Sequence, residues 1–260
     1  MNARVPLVAA GLAAAALLVT TACGAAPAAT PAPAPAAAAA TGPSVETACT
    51  NLLAVDGVPS PDSGPEGPAA PEEVKAFGES VTPLLDAALA AAPPDLAPSL
   101  TALQPFVAAA ADEGVEPDFE DPAFTGALVG YETWAHENCG YQNIALAGTD
   151  FAFSGAPETL EAGPISMLLT NESTEGEFHV ALLARANDPA MTVEGFQALS
   201  FEQLESAVEL LPGAAAAPPG ATGGVLAELE PGTYFILCPV GEEGEIPHHL
   251  QGMINRVTVA

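Results

Sequence analysis

The chain has 260 residues, of which 49% are hydrophobic, enough to form a core in one or two domains. Four lysines and arginines stand against 33 aspartates and glutamates, which gives a formal net charge of −29. A surface this acidic repels phosphate backbones and anionic lipid headgroups, so we expect no nucleic-acid binding.

The first 22 residues predict an export signal. Arg4 precedes an apolar run, residues 5–19, that is too short to span a bilayer and is followed by small residues. The run leads into Thr20-Thr-Ala-Cys23-Gly24, which resembles the lipobox of bacterial lipoproteins, in which the cysteine is acylated. We therefore expect an exported protein held on the outer face of the bacterial cytoplasmic membrane by a lipid on Cys23. A secreted protein without the lipid is the alternative.

A tether and a helical domain follow the predicted signal. Residues 23–43 are almost all Ala, Pro and Thr, which predicts an extended, semi-rigid spacer. Residues 44–140 carry apolar side chains at helical spacing and predict a small antiparallel bundle of helices. The four expected helices begin at Ser44, at Pro71, near Leu96 and at Asp121, and the last one ends at Cys139, before Gly140.

Three cysteines remain if Cys23 is acylated. In an oxidising compartment two of them are expected to pair. Cys49 lies on the first predicted helix and Cys139 ends the last, so a disulfide between them would join the two ends of the bundle. Cys238 is then left unpaired.

The hydrophobic period changes after Tyr141. Short apolar runs bounded by Gly, Pro, Asn and Asp are typical of strands buried in a sandwich. These runs are residues 144–146, 165–169, 178–183, 225–229, 233–238 and 254–259. Residues 193–211 predict one amphipathic helix or two short ones inserted between strands, and residues 214–224 predict a flexible loop. The predicted class is therefore α+β, with a helical bundle followed by a β-sandwich domain over residues 141–260.

Four residues in this sandwich have the donor atoms of a mononuclear copper site. Type-1 copper takes two imidazoles, one thiolate and a weak axial thioether. We predict His179 and His248 as the imidazoles, Cys238 as the thiolate and Met253 as the axial ligand. His249 is an alternative to His248.

Residues 143–260 resemble a cupredoxin, the fold of plastocyanin and azurin. The matching stretches are Glu158-Thr-Leu-Glu-Ala-Gly163, Asn171 followed by His179, Pro231-Gly-Thr-Tyr-Phe-Ile-Leu-Cys238, and Pro247-His248 through Gly252-Met253. The arrangement also resembles a group of exported bacterial proteins in which a helical segment precedes a cupredoxin-like domain. The resemblance implies a Greek-key β-sandwich that binds one copper ion for electron transfer or copper handling.

The sequence departs from the cupredoxin pattern between Cys238 and His248. Nine residues separate them, where characterised electron-transfer cupredoxins have two to four. A longer loop raises the entropic cost of holding the ligands. A metal-free domain of the same fold, acting as a binding or scaffolding module, is therefore the alternative function.

We expect no enzyme activity. The chain has no Gly-x-Ser-x-Gly nucleophile turn, no phosphate-binding glycine loop and no Cys-x-x-Cys pair. The expected partners are the membrane, through the lipid on Cys23, and a redox or other protein partner that the sequence does not identify.

Overall fold

The structure is a computed structural model that describes residues 43–61, 69–119, 121–241 and 246–260. The predicted signal, Cys23 and nearly all of the predicted tether lie outside these residues. Residues 41–260 group as one compact unit. Within the described ranges, no helix is both long and apolar enough to cross a membrane. The proposed domain boundary after residue 140 stays a prediction.

The amino-terminal part of the described chain is helical. Its helices are α1 (Val45–Asp56), α2 (Pro71–Ala91), α3 (Ala97–Glu113) and α4 (Pro122–Asn138). The Ser44 hydroxyl accepts a hydrogen bond from Thr47 N at 3.4 Å, and Asp121 Oδ1 accepts one from Ala123 N at 2.8 Å. These caps satisfy backbone N–H groups that have no partner within the helix. Gly140 follows α4 with φ at +67°, as its predicted position requires.

A disulfide closes the bundle. Cys49 on α1 is bonded to Cys139 at the end of α4, with Cα atoms 5.5 Å apart and a sequence separation of 90. The predicted pairing is therefore confirmed. Cys238 is free and buried.

The carboxyl-terminal part is a β-sandwich of two sheets. Its strands are β1 (Gln142–Thr149), β2 (Ala152–Ser154), β3 (Thr159–Leu160), β4 (Gly163–Asn171), β5 (His179–Ala186), β6 (Val208–Leu210), β7 (Ala215–Ala217), β8 (Thr222–Leu229), β9 (Gly232–Leu237) and β10 (Ile254–Val259). One sheet has the order β2-β1-β4-β8, and the other has β3-β10-β9-β5-β6, with β7 also paired to β5. The β1–β4 and β3–β10 pairs are parallel and the others are antiparallel. The predicted α+β class is confirmed.

The segments between the strands differ in part from the prediction. Two short helices, α5 (Val193–Gln197) and α6 (Phe201–Ala207), lie between β5 and β6, as one of the two alternatives had it. The expected flexible loop 214–224 instead contains β7, in which Ala217 pairs with His179. Three alanines carry no strand pattern, because alanine is depleted in strands and has no period-two contrast. A one-turn helix, α7 (His248–Gln251), was also not predicted.

One carboxylate joins the helices to the sandwich. Asp56, at the end of α1, accepts a hydrogen bond from Tyr131 Oη of α4 at 2.6 Å and another from Leu226 N of β8 at 2.7 Å. Burial raises the pKa of Asp56 from 3.8 to about 6, against the lowering effect of the two hydrogen bonds. The contact therefore holds three elements together, but burial makes the ionised form of Asp56 costly in the folded protein.

Candidate metal centre

Three of the four predicted metal ligands meet in the interior of the sandwich. His179 opens β5, Cys238 follows β9 and His248 opens α7. Their candidate ligand atoms all lie within 4.8 Å of one another, and the three side chains are buried. The pairing of β5 with β9 brings Cys238 to His179 from 59 positions away in the sequence. A hydrogen bond from His248 N to Val240 O then brings in His248.

His179 is a buried histidine whose ring nitrogens are unpaired in the described part of the chain. The residue is 0% exposed, and neither Nδ1 nor Nε2 has a hydrogen-bond partner among the described residues. Leaving a buried polar group without a partner costs about 1–3 kcal/mol. Burial, together with His248, lowers the pKa of His179, whereas Glu177, Asp150 and the Phe178 backbone raise it. The net lowering favours the neutral imidazole, which has a lone pair available.

The buried sulfur of Cys238 accepts a hydrogen bond from the backbone. Its Sγ accepts a hydrogen bond from Val180 N at 3.4 Å and lies 3.6 Å from His248 Nδ1. Burial raises the pKa of the thiol, and backbone N–H groups of Val180 and Val240 act in the opposite direction. Such N–H groups stabilise a thiolate once a cation replaces the thiol proton.

His248 is held from both sides of its ring. Nδ1 faces the sulfur of Cys238, while Nε2 lies 3.5 Å from Glu177 Oε2. The Phe151 ring packs edge-on against the imidazole, with centroids 5.1 Å apart. A carboxylate at one ring nitrogen places the proton there and leaves the other nitrogen free to bind a metal.

Glu177 was not identified from the sequence. It lies in the turn before β5, among other acidic residues, and no spacing rule distinguishes it from them. Its backbone is placed by Asn171, whose Nδ2 donates to Glu177 O at 2.8 Å and to Ala217 O at 2.8 Å. The buried Asn171 therefore orders the segment that carries both Glu177 and His179.

Backbone hydrogen bonds close the base of the long loop after Cys238. His248 N donates to Val240 O at 2.8 Å, and His249 N donates to Cys238 O at 2.9 Å. Cys238 N in turn donates to Met253 O at 3.0 Å. The length of the loop therefore does not separate Cys238 from His248 in space. Residues 242–245, which include the acidic residues of this loop, lie outside the described residues.

His249 does not join the donor group. Its Nδ1 lies 3.3 Å from the carbonyl oxygen of Cys238, and its ring packs edge-on against Phe196 at 6.1 Å between centroids. Burial lowers the pKa of His249. Of the two alternative histidines, the structure thus places His248 beside Cys238 and His179.

Met253 is fully buried in the same core as Cys238. A Cβ built on Gly148 of β1 would lie 3.0 Å from His179 Cδ2 and 3.1 Å from Met253 Cε. The methyl group of Met253 and the ring of His179 therefore share the space that the missing side chain of Gly148 leaves open. Gly148 is a second residue of the site that the sequence analysis missed, because a glycine in a strand has several explanations.

The residues present fit a single copper ion. Two imidazoles and one sulfur at mutual distances below 4.8 Å, with a thioether side chain close by, are the donor types of a type-1-like copper site. The partnerless nitrogens of His179 indicate that the group is built for something other than internal hydrogen bonding.

No protein-family model and no curated protein matches the sequence. Solved structures that are similar to it include auracyanin from Roseiflexus castenholzii, with 20% identity over 46% of this chain and 97% of that chain and a TM-score of 0.33. Auracyanin A from Chloroflexus aurantiacus, described as a "blue" copper protein, has 17% identity over 46% of this chain and 100% of that chain, with a TM-score of 0.32. Rusticyanin from Thiobacillus ferrooxidans has 16% identity over 46% of this chain and 79% of that chain, with a TM-score of 0.29. Sequence identities and TM-scores this low support no inference about function. Any such inference depends on the donor atoms of this chain.

Proposed function

We propose that the protein binds one copper ion in its β-sandwich and serves in electron transfer or copper handling. His179 and His248 would supply imidazole nitrogens, Cys238 the thiolate and Met253 a thioether. The fully buried His179, with both ring nitrogens lacking a partner, is the observation that supports this most directly. A scaffolding domain without a metal would gain stability from an apolar residue at this position.

The surrounding residues suit a site that changes charge by one unit. Copper moves between Cu(I) and Cu(II), and the soft sulfur favours the first state while the imidazoles keep the second accessible. Glu177 orients His248, and the N–H groups of Val180 and Val240 face the sulfur. The donors are buried, so water is kept from the sulfur and its oxidation is slowed.

We also propose a cellular location and a partner for the protein. The lipobox-like sequence supports export and a lipid anchor on Cys23 at the outer face of the cytoplasmic membrane. A redox or other protein partner would meet the domain outside the cell membrane. Mass spectrometry of the membrane-extracted protein tests the anchor: the mature chain should begin with an acylated Cys23, and Cys23→Ala should release the protein from the membrane.

Copper titration tests the proposed site. The purified protein should bind one Cu(II) per chain and develop the intense visible absorption of a copper–thiolate bond. Cys238→Ser should abolish the absorption, and His179→Ala should weaken copper binding at least tenfold. His136→Ala is the matched control, because His136 is hydrogen-bonded to Ser166 and takes no part in the donor group.

A colourless protein that binds no stoichiometric copper would overturn the proposal. The same result would favour the metal-free scaffolding alternative. Thermal unfolding gives an independent readout, since a metal that binds only the folded state raises the melting temperature, and a tighter-binding metal raises it more.

A further inference from the structure

A second candidate site lies between the helices and the sandwich. A cleft of about 590 Å³ runs between α4 and the β7–β8 segment, and none of the four proposed copper ligands lines it. Its volume is in the range of small-molecule binding sites. The metal centre and the cleft are therefore separate features.

Small residues line this cleft, and one of them has no packing explanation. A Cβ on Gly223 would lie 2.0 Å from the backbone atom Ala216 O, so this position requires glycine. A Cβ on Gly130 would lie 2.4 Å from Ser99 Oγ, so Ser99 would have to move to accept it. A Cβ on Gly126, in contrast, would meet nothing within 4 Å. Glycine weakens the interior of a helix such as α4. Gly126 is thus an exposed helix position beside the cleft that packing does not reserve for glycine.

A buried carboxyl group lines the same cleft. Glu132 of α4 is 6% exposed, and its Oε2 has no hydrogen-bond partner among the described residues. The neighbouring Asp56 differs, because both of its oxygens accept hydrogen bonds, from Tyr131 and Leu226. Glu132 Oε2 therefore makes no hydrogen bond of good geometry among the described residues, although the Gly224 N–H lies close enough to affect its pKa.

The protonation state of Glu132 defines what it can bind. Burial raises its pKa well above the usual value, the nearby Asp56 raises it further, and the Gly224 N–H acts weakly in the opposite direction. The titratable groups that face it are Asp56 of α1 and Tyr131 of α4. Burial favours the uncharged acid, whose hydroxyl donates a hydrogen bond and requires an acceptor.

We propose that the cleft binds a small, uncharged, mostly apolar molecule with a carbonyl oxygen, to which Glu132 donates a hydrogen bond. Anionic ligands are disfavoured by the formal charge of −29. The apolar body would lie against the glycine and alanine wall formed by Gly126, Gly130 and Ala216. An organic cation would instead require Glu132 to lose its proton.

Three naphthalene probes of the same shape test the proposal by calorimetry on the full chain at pH 7. They are 2-acetylnaphthalene, with a carbonyl, 2-ethylnaphthalene, with no polar atom, and 1-(2-naphthyl)ethylamine, with a positive charge. We expect the ketone to bind at least tenfold more tightly than the hydrocarbon, and the amine to bind no better than the hydrocarbon. Equal binding of ketone and hydrocarbon, or tightest binding of the amine, would overturn the proposal.

Two substitutions of Glu132 separate hydrogen bonding from charge. Glu132→Gln keeps an N–H donor, so ketone affinity should stay within about threefold of the unsubstituted protein. Glu132→Leu removes the donor, and ketone affinity should fall to that of the hydrocarbon. Loss of ketone binding in Glu132→Gln to the level of Glu132→Leu would show that donation is not the interaction.

Gly126→Phe tests the cleft without touching Glu132. The new side chain starts in open space, so the fold should keep or increase its melting temperature, while all three probes lose at least tenfold in affinity. Copper stoichiometry should not change, because no proposed copper ligand lines the cleft. Unaltered ketone binding in Gly126→Phe would place the probe elsewhere and refute the proposal. Failure of copper binding would leave these results unaffected.

Discussion

Replacing Asp56 with asparagine separates the charge of this side chain from its hydrogen bonds. Asn Oδ1 can accept from Leu226 N, and its Nδ2 can donate to Tyr131 Oη, so the amide reproduces the protonated acid. The two contacts, 2.6 and 2.7 Å long in the native protein, join α1 to α4 and β8. Only the possibility of ionising is lost.

The magnitude follows from the pKa of Asp56, which is raised from 3.8 to about 6. Each tenfold change in proton affinity is about 1.4 kcal/mol, so this difference corresponds to about 3 kcal/mol. Below pH 3.8 the carboxyl is protonated in both the folded and the unfolded chain, and its contribution to stability is complete. As the pH rises through about 6 that contribution is lost, because the unfolded chain ionises first.

Urea unfolding between pH 3.5 and 7.5 measures the effect, with the disulfide intact and the fluorescence of Trp134 as the signal. Trp134 is the chain's one tryptophan and is buried on α4. Asp56→Asn should match the native protein near pH 3.5 and exceed its free energy of unfolding by about 3 kcal/mol at pH 7. The Asp56 charge also raises the pKa of Glu132, so Asp56→Asn relieves Glu132 as well, and this effect adds to the difference in the same direction.

Two outcomes would refute this reasoning. Parallel pH profiles for the native protein and Asp56→Asn would mean that Asp56 ionises normally. A difference that grows towards acid pH would mean that the charged form is the stabilising one. Asp56→Ala serves as a control, since it leaves Leu226 N–H without its partner and should destabilise the protein by about 1–3 kcal/mol even at low pH.

Three further predictions concern the disulfide and the metal centre. Replacing Cys49 and Cys139 together by serine should lower the free energy of unfolding by roughly 4 to 5 kcal/mol in a urea titration, because their bond closes a loop of 90 residues. His248→Ala should weaken copper binding at least tenfold in a competition with a chelator, whereas His249→Ala should leave it within about threefold; the reverse order would contradict the assignment. Gly148→Ala should shift the visible absorption of the copper-loaded protein, because the added Cβ would lie about 3 Å from the side chains beside it; an unchanged spectrum would mean that Gly148 does not shape the site.

Signals between residues that are close in sequence predicted the helices of this protein, and the residue types present predicted its candidate metal ligands. Helix caps and apolar spacing predicted four helices, since those signals depend on residues within one or two turns. The sequence also predicted His179, Cys238 and Met253 as candidate metal ligands, because imidazole, thiolate and thioether donors in this chain order are typical of copper sites. The pairing of Cys49 with Cys139 followed from their places at the two ends of one predicted bundle.

Tertiary structure decided what depends on residues distant in sequence. The choice of His248 over His249 for the donor group follows from backbone bonds to Val240 and Cys238, which no spacing rule contains. β7 forms from alanines because a neighbouring strand presents free backbone groups, and not because alanine favours a strand. Asp56 meets Leu226 across 170 residues, and Glu132 lacks a partner only because α4 packs on the sandwich as it does. Burial and pairing are properties of the whole fold, so the sequence alone could not reveal them.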